Sequence, residues 1–215
     1  VGTGTLEALT IGDNNTALGF QAGQGTATGQ TDDNVAIGYQ AMSGNMGAEE
    51  VDDCVAVGSG ALAGALTSTN GDDEASGTVA IGKSALAALT DGAGNVAVGW
   101  LAGGSAVTAN MNTFIGRQAG SSINGDGDTL NTMIGYHAGV SLQDGTSNTS
   151  IGARAMDAAT GACDDNVAIG TDAMGGAIGA EVVDDCVAIG SGALSGALDS
   201  TNGIDEASGT VAIGK

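Results

Sequence analysis

The sequence predicts an all-β fold, a parallel β-solenoid of about eleven stacked turns. Two nine-residue phrases, NTFIGRQAG at 112–120 and NTMIGYHAG at 131–139, share the same Asn, Thr, Ile, Gly, Ala and Gly. The phrase recurs along the whole chain when it is aligned on the Gly that follows Ile, Val or Leu, with spacings of 17 to 24 residues. Self-similarity at such a period is typical of a solenoid, in which each repeat forms one turn.

A longer repeat is superimposed on the short one. Residues 34–83 and 166–215 are identical at 40 of 50 positions and lie seven turns apart. We therefore interpret 1–215 as a single repetitive segment with an irregular start over 1–14, where Gly12 falls outside the regular spacing. The chain ends partway through the longer repeat, so we expect it to be a fragment of a longer fibre.

Each turn is predicted to contain one short strand followed by a bend. In NVAIG, Val35 and Ile37 alternate with Ala36, which is the period-two pattern of a strand. We predict that the β-branched residues point into the coil and form an apolar ladder. The Gly should supply a bend, through a positive φ or because a Cβ has no room. An Ala three residues after the Gly predicts a second buried segment, and a loop of variable length closes the turn.

An Asn begins most turns of the predicted solenoid. Stacked Asn side chains can bond to one another and to the neighbouring turn. We therefore assign a structural role to the Asn column and to the Gly and Ala columns. Representative positions are Asn34, Gly38, Ala41, Asn112, Gly116, Ala119, Gly135 and Gly170.

The residues equivalent to Ala36 are small and mostly apolar, which is typical of strands buried on both faces. The chain offers no spare helix or sheet to cover this second face, so we expect another copy of the coil to cover it. An isolated coil with so few large apolar side chains would also be weakly stabilised, at about 25 cal/mol for each Å² buried. The sequence therefore predicts self-association.

Charge and composition exclude several classes of function. The chain has 25 acidic residues against 4 basic ones and a net charge of −21. This balance excludes nucleic acid and anionic membrane surfaces as partners. No apolar run approaches the roughly 18 residues of a membrane span, so we expect no membrane insertion. A catalytic site should break the repeat at one place, whereas every turn resembles its neighbours, so we expect no enzymatic activity.

The phrase NVAIG, followed by small residues and Ala, resembles the head repeats of YadA-like trimeric autotransporter adhesins. NTFIGRQAG and NTMIGYHAG are similar to repeats of trimeric phage tail fibres. The resemblance covers nearly the whole chain, although the turns are longer than those of the adhesin heads. It implies a left-handed parallel β-roll, a homotrimer, and attachment to cells or glycans in an extracellular, cell-surface or virion setting. A purely structural spacer and a single-chain β-helix remain the alternatives.

Aromatic and basic side chains concentrate just after the Gly. Because turns stack about 4.8 Å apart, these side chains should form a stripe along the fibre. The stripe is predicted either to contact a glycan or protein receptor or to lie at seams between chains. Its members are Phe20, Tyr39, Trp100, Arg117, Tyr136 and Arg154, with Lys83 and Lys215 in the same column.

Pairs of Asp precede the strand in two sets of neighbouring turns. Stacked carboxylates repel each other unless a cation lies between them, and calcium takes six to eight oxygen ligands. Calcium is therefore the candidate cofactor, with a solvated acidic rim as the alternative, and GDGD at 125–128 points the same way. The candidate ligands are Asp32, Asp33, Asp52, Asp53, Asp164, Asp165, Asp184 and Asp185.

The three cysteines do not form a disulfide framework. Cys54 and Cys186 occupy the same position one long repeat apart, which is too far for a disulfide. We expect buried thiols outside any disulfide. His137 is the only histidine, and we expect an exposed side chain rather than a metal ligand.

Overall fold

The main sheet of the protein is parallel and follows the order of the sequence. The computed structural model describes residues 1–25, 30–47, 50–66, 76–124, 127–160, 163–176, 183–196 and 208–214. Eleven three-residue strands form this sheet, and two short strands form a second one. The main strands are β1 (Thr16–Leu18), β2 (Val35–Ile37), β3 (Val55–Val57), β4 (Val79–Ile81), β5 (Val96–Val98), β7 (Thr113–Ile115), β9 (Thr132–Ile134), β10 (Thr149–Ile151), β11 (Val167–Ile169), β12 (Val187–Ile189) and β13 (Val211–Ile213), and the short pair is β6 (Ala109–Asn110) with β8 (Gly127–Asp128).

This arrangement is a parallel β-solenoid, which confirms the predicted all-β fold class. Strands pair in register, so that Val35 lies beside Val55 and Ala36 beside Ala56. Equivalent residues of successive repeats therefore stack in columns, and the differences in repeat length fall outside the main strands. Within the ranges given above no segment is helical, and so none forms a helix that could span a membrane.

The two faces of the strands are the reverse of the prediction. Ala36 is buried, and so are its equivalents in the central strands, whereas Val35 and Ile37 are only partly buried. The expectation that Val35 and Ile37 point into the coil is therefore wrong. The expectation that another copy covers the Ala36 face is wrong for the same reason, because this face lies inside the coil. The physical reason is space, because the opposite wall of the coil already carries apolar side chains that meet the strand centres. Two branched side chains in every turn would not fit beside them.

The strand centre and the residue six positions later share one interior volume. Where the centre is small, as at Ala36, the later residue is large and fully inside, as at Met42. Where the centre is Phe114, the later residue is Gly120, and a Cβ on Gly120 would overlap the Phe114 ring. In most central turns one of the two positions is therefore large and the other small. The turn with Ala97 and Gly103 has two small residues, and Leu86 and Phe114 of the neighbouring turns fill the space beside Gly103. The same pairing occurs at Met133 with Gly139, at Ala56 with Leu62 and at Ser150 with Met156.

The Gly after each strand is required for both predicted reasons. Gly38 has a φ of 135°, and a Cβ there would lie 2.6 Å from the carbonyl oxygen of Gly58 in the next turn. Gly2 occupies the same position at the start of the chain, with a φ of 150° and no room for a Cβ against Gly19. Gly2, and not Gly12, is therefore the first member of the column.

Buried Asn side chains form a ladder beside the main sheet. Asn112 Oδ1 accepts the backbone N–H of Asn131 at 2.9 Å, and the backbone N–H of Asn112 donates to Asn95 Oδ1 at 3.0 Å. Asn112 Nδ2 donates to Thr129 Oγ1 at 2.6 Å. Each Asn therefore satisfies a buried backbone donor, which would otherwise cost about 1–3 kcal/mol.

Two cysteines replace Asn in this ladder. The backbone N–H of Cys54 donates to Asn34 Oδ1 at 2.9 Å, and that of Cys186 donates to Asn166 Oδ1 at 3.0 Å. All three thiols are buried and none is in a disulfide, as predicted. Burial raises the pKa of the Cys54 thiol to about 12 and also raises the pKa of Cys163, so both thiols stay protonated at neutral pH.

Candidate functional site

The aromatic and basic stripe begins directly after the Gly bend. The residue at this position projects into solvent, and its four aromatic members are between 40% and 54% exposed. The next residue has a left-handed backbone, with φ of 52° at Gln40 and 57° at Gln118. The Gly before the stripe residue and the residue after it thus both have a positive φ, and the chain turns sharply at the stripe residue between them.

Phe20 and Tyr39 form the first cluster of the stripe. Their rings stack with centroids 5.6 Å apart and planes 10° apart. Beside them, Gln40 Nε2 donates a hydrogen bond to Gln21 Oε1 at 2.9 Å. Each ring therefore covers one face of the other and leaves its edge in solvent.

Arg117 lies between two aromatic rings in the second cluster. Its guanidinium carbon is 4.5 Å from the ring centroid of Trp100 in the preceding turn and 5.6 Å from that of Tyr136 in the following turn. Tyr136 also stacks on His137, with centroids 3.9 Å apart. His137 Nε2 is in turn 2.8 Å from Gln118 Oε1. This half-buried histidine is thus part of the stripe rather than an isolated exposed side chain.

Arg154 and Asp172 form the third cluster, an ion pair between neighbouring turns. Arg154 donates from Nε to Asp172 Oδ1 at 2.7 Å and from Nη2 to Oδ2 at 2.8 Å. The hydrogen bond and the charge of the partner raise the pKa of Arg154 and lower the pKa of Asp172. The guanidinium fork of Arg154 is therefore occupied. Arg117 has no ion-pair partner among the residues that the structure describes.

The acidic pairs divide into two roles. The first Asp of each pair accepts a backbone N–H from the preceding turn; Asp32 Oδ1 accepts that of Asp13 and Asp52 Oδ1 that of Asp32, both at 2.6 Å. Asp164 and Asp184 do the same at 2.7 and 2.8 Å. The second Asp of each pair is exposed and has a φ of 57° or 58° at Asp33, Asp53, Asp165 and Asp185.

Half of the predicted calcium ligands thus already cap backbone donors. In the described ranges, no three His, Cys, Asp or Glu side chains come together in a way that could hold a metal ion. Residues 125–126 of the GDGD phrase and Lys215 of the basic column lie outside those ranges.

Calcium binding remains a prediction, and the melting temperature tests it. If calcium bridges the pairs, millimolar Ca²⁺ should raise the Tm and equal Mg²⁺ should not, because ligands that bind only the folded state stabilise it. Replacing Asp33 and Asp53 together by Asn should remove the effect and leave the calcium-free Tm unchanged, because these carboxylates are exposed and Asn tolerates the left-handed backbone. Equal responses to both cations would exclude a specific calcium site.

The outward face of the main sheet was not identified by sequence reasoning. We call it the outward ladder: the first and third residues of the eleven main strands, from Thr16 and Leu18 to Val211 and Ile213. Its side chains are β-branched or apolar, and central members such as Ile115 are more than a third exposed. The stripe lies two residues beyond the second column of this ladder, so the two surfaces are neighbours in every turn.

A cavity of about 20 Å³ lies between Leu6, Leu9 and Met42 near the start of the chain. A space of this size holds about one water molecule. This cavity is therefore too small for a substrate.

Comparison of the chain with protein-family models, with curated proteins and with solved structures finds no match. The resemblance to adhesin heads and tail fibres therefore depends on the repeated phrases and on the columns that they form.

Proposed function

We propose that this chain is a non-enzymatic segment of a self-associated fibre, extracellular or on the surface of a cell or virion, that spans distance and presents a surface for attachment. The observation that carries this proposal is the outward ladder. The third residues of the main strands form a column of Leu, Ile and Val on the outside of a regular, strongly acidic rod, beside a column of Val and Thr. This surface needs a cover, and a second copy offers a matching surface with the same repeat.

The size of the outward ladder suits an interface between copies. Eleven strands separated by about 4.8 Å give a length of about 48 Å, and two columns of side chains give a width of about 10 Å. The ladder thus covers roughly 500 Å² in projection, which reaches the range of the largest apolar patches on ordinary monomers, about 300–600 Å². A patch of this size on a monomer often marks an interaction surface.

Three copies around a common axis and a left-handed winding of about eleven turns are the finer features of the proposal. They follow from the resemblance to trimeric adhesin heads and tail fibres. The proposed role is mechanical. Because each turn stacks in register on the one before it, the same columns of side chains are exposed along the whole rod. The proposal assigns no catalytic step and no membrane insertion to this segment, and an acidic surface does not favour nucleic acid.

Replacing Ile115 by Lys should convert the assembly to single chains. Ile115 is 38% exposed in the centre of the outward ladder, so the lysine can reach solvent in a single chain but would be buried unpaired in an interface. Light scattering should give about three times the chain mass of 20.4 kDa for the wild type and one chain mass for the variant.

Leu130→Lys is the matched control for this experiment. Leu130 is 47% exposed but lies outside the outward ladder, so the same charge should leave the assembly intact. Circular dichroism of both variants establishes that the chain stays folded. A wild type that is monomeric at micromolar concentration would contradict the fibre proposal and favour a single-chain β-helix.

A structural spacer without receptor binding is the second candidate. It is favoured by the first cluster of the stripe, because Phe20 and Tyr39 stack on each other and so use ring surface that a receptor would need. If mutation of the stripe abolishes attachment without changing the mass of the assembly, the segment is adhesive. If attachment is unchanged, the segment is a spacer.

A further inference from the structure

We propose that Trp100, Arg117 and Tyr136 form a subsite that binds the carboxylate of an acidic polysaccharide. The inference rests on the attachment function proposed above and names the class of ligand for the central part of the stripe.

The first observation is the local reversal of charge. The chain has a net charge of −21, yet three of its four basic residues lie on the stripe between Lys83 and Arg154. The two columns that follow the Gly contain no carboxylate over this interval. At physiological salt, charges more than about 8 Å away are largely screened. A ligand at Arg117 therefore responds mainly to this guanidinium, because Lys83 lies two turns or about 9.6 Å away and the charge of Arg154 is paired with Asp172.

The second observation is the way in which Arg117 is held. Rings in the turns before and after it lie over its guanidinium group, at 4.5 Å and 5.6 Å. Such contacts favour an orientation in which the faces of the group are covered and its N–H donors remain at the edge. Arg154 offers the contrast within the same stripe, because its fork is filled by Asp172. Arg117 is therefore the arginine available for a planar carboxylate from outside.

The third observation favours a polysaccharide over a single small anion. The stripe has a rise of about 4.8 Å for each turn, which is close to the length of one sugar unit in an extended chain. Gln118 and His137, joined at 2.8 Å, lie beside Arg117 and Tyr136 and offer polar groups to sugar hydroxyls. A linear polymer with a carboxylate on each unit could follow the stripe from Lys83 to Arg117, which lie two turns or about 9.6 Å apart, so that every second carboxylate meets a basic side chain and the unit between them lies at Trp100.

Calorimetric titration with tetragalacturonate tests the subsite, with EDTA present so that calcium cannot bridge ligand and protein. The fully methyl-esterified tetramer is the matched neutral ligand. We expect the acid to bind and the ester to bind at least about tenfold more weakly, a difference of about 1.4 kcal/mol. Arg117→Ala should weaken binding of the acid by about tenfold or more. Arg117→Lys should also weaken it, because a lysine offers no planar fork.

Arg154→Ala is the matched control and should change the affinity by less than about threefold, because its fork is already occupied. Equal binding of the ester, equal losses at Arg117 and Arg154, or tighter binding of hexaglutamate than of tetragalacturonate would each overturn the proposal. The last result would identify an acidic protein segment as the ligand. Light scattering on the same samples separates the two failures: assembled chains without binding refute the subsite alone, whereas monomeric wild type refutes the fibre.

Discussion

Replacing Gly38 by alanine should lower the melting temperature by about 10 °C, a larger loss than surface substitutions cause. Two independent costs add at this position. A side chain at a φ of 135° is strained by about 1–3 kcal/mol, and the new Cβ would lie 2.6 Å from a backbone oxygen of Gly58 that cannot move alone. A total of about 3–5 kcal/mol corresponds to about 10 °C or more in a chain of this size, at roughly 2–4 °C for each kcal/mol.

Gly196→Ala is the matched control for this prediction. Among the residues that the structure describes, none lies within 4 Å of a Cβ at Gly196, and its φ is not positive, so alanine should be neutral or slightly stabilising. Thermal unfolding followed by circular dichroism checks both variants. A shift of less than about 2 °C for Gly38→Ala would mean that neighbouring turns can separate to admit a methyl group, which the in-register columns do not allow.

The pair Phe114 and Gly120 should show strong coupling in a double-mutant cycle. Phe114→Ala alone leaves a cavity and should cost about 3–5 kcal/mol. Gly120→Leu alone places a side chain into the Phe114 ring and should cost about 1–3 kcal/mol or more. Together they recreate the combination of Ala56 with Leu62, which is fully buried elsewhere in the same coil.

The double variant should therefore be more stable than the sum of the single losses by about 2 kcal/mol or more. A left-handed backbone is no obstacle, because Leu62 has a φ of 49° and Gly120 one of 57°. Denaturant unfolding of the wild type, the two single variants and the double variant measures the coupling. Additivity within about 0.5 kcal/mol would show that the two positions do not share one interior volume.

The acidic pairs show why a count of carboxylates did not define a site. The sequence places Asp32 and Asp52 in neighbouring turns, and electrostatics alone suggests a cation between them. Each of the two instead accepts a backbone N–H at 2.6 Å. The backbone N–H thus stabilises part of the negative charge that a cation would otherwise neutralise. The position of this donor depends on the geometry of the turn, which the spacing of the Asp residues does not show.

The stripe was predictable as a column but not as a set of contacts. The spacing of Trp100, Arg117 and Tyr136 shows that they lie in successive turns. Side-chain conformation then decides that Arg117 lies between rings. The same conformational choice places Arg154 on Asp172, whose position one turn later the sequence also shows.

The prediction of one strand in each turn missed the second strands β6 and β8. The sequence by itself determined the repeat, the short main strand of each turn, the obligatory Gly and the Asn column. These features are local or repeat at fixed positions, so each can be recognised from one turn and checked against the next. Only the tertiary structure decided which face of the strand is inside. A period of two places Val35 and Ile37 opposite Ala36 but does not indicate which side is the core.

That choice depends on the opposite wall of the coil. Where the strand centre is Phe114 or Met133, the residue six positions later is Gly120 or Gly139, and where the centre is Ala36 it is Met42. This exchange of large and small residues is present in the sequence. It identifies the core only when the two positions are known to be in contact across the interior. The volume available there admits at most one large side chain from these two positions in each turn, and the β-branched columns are consequently left outside.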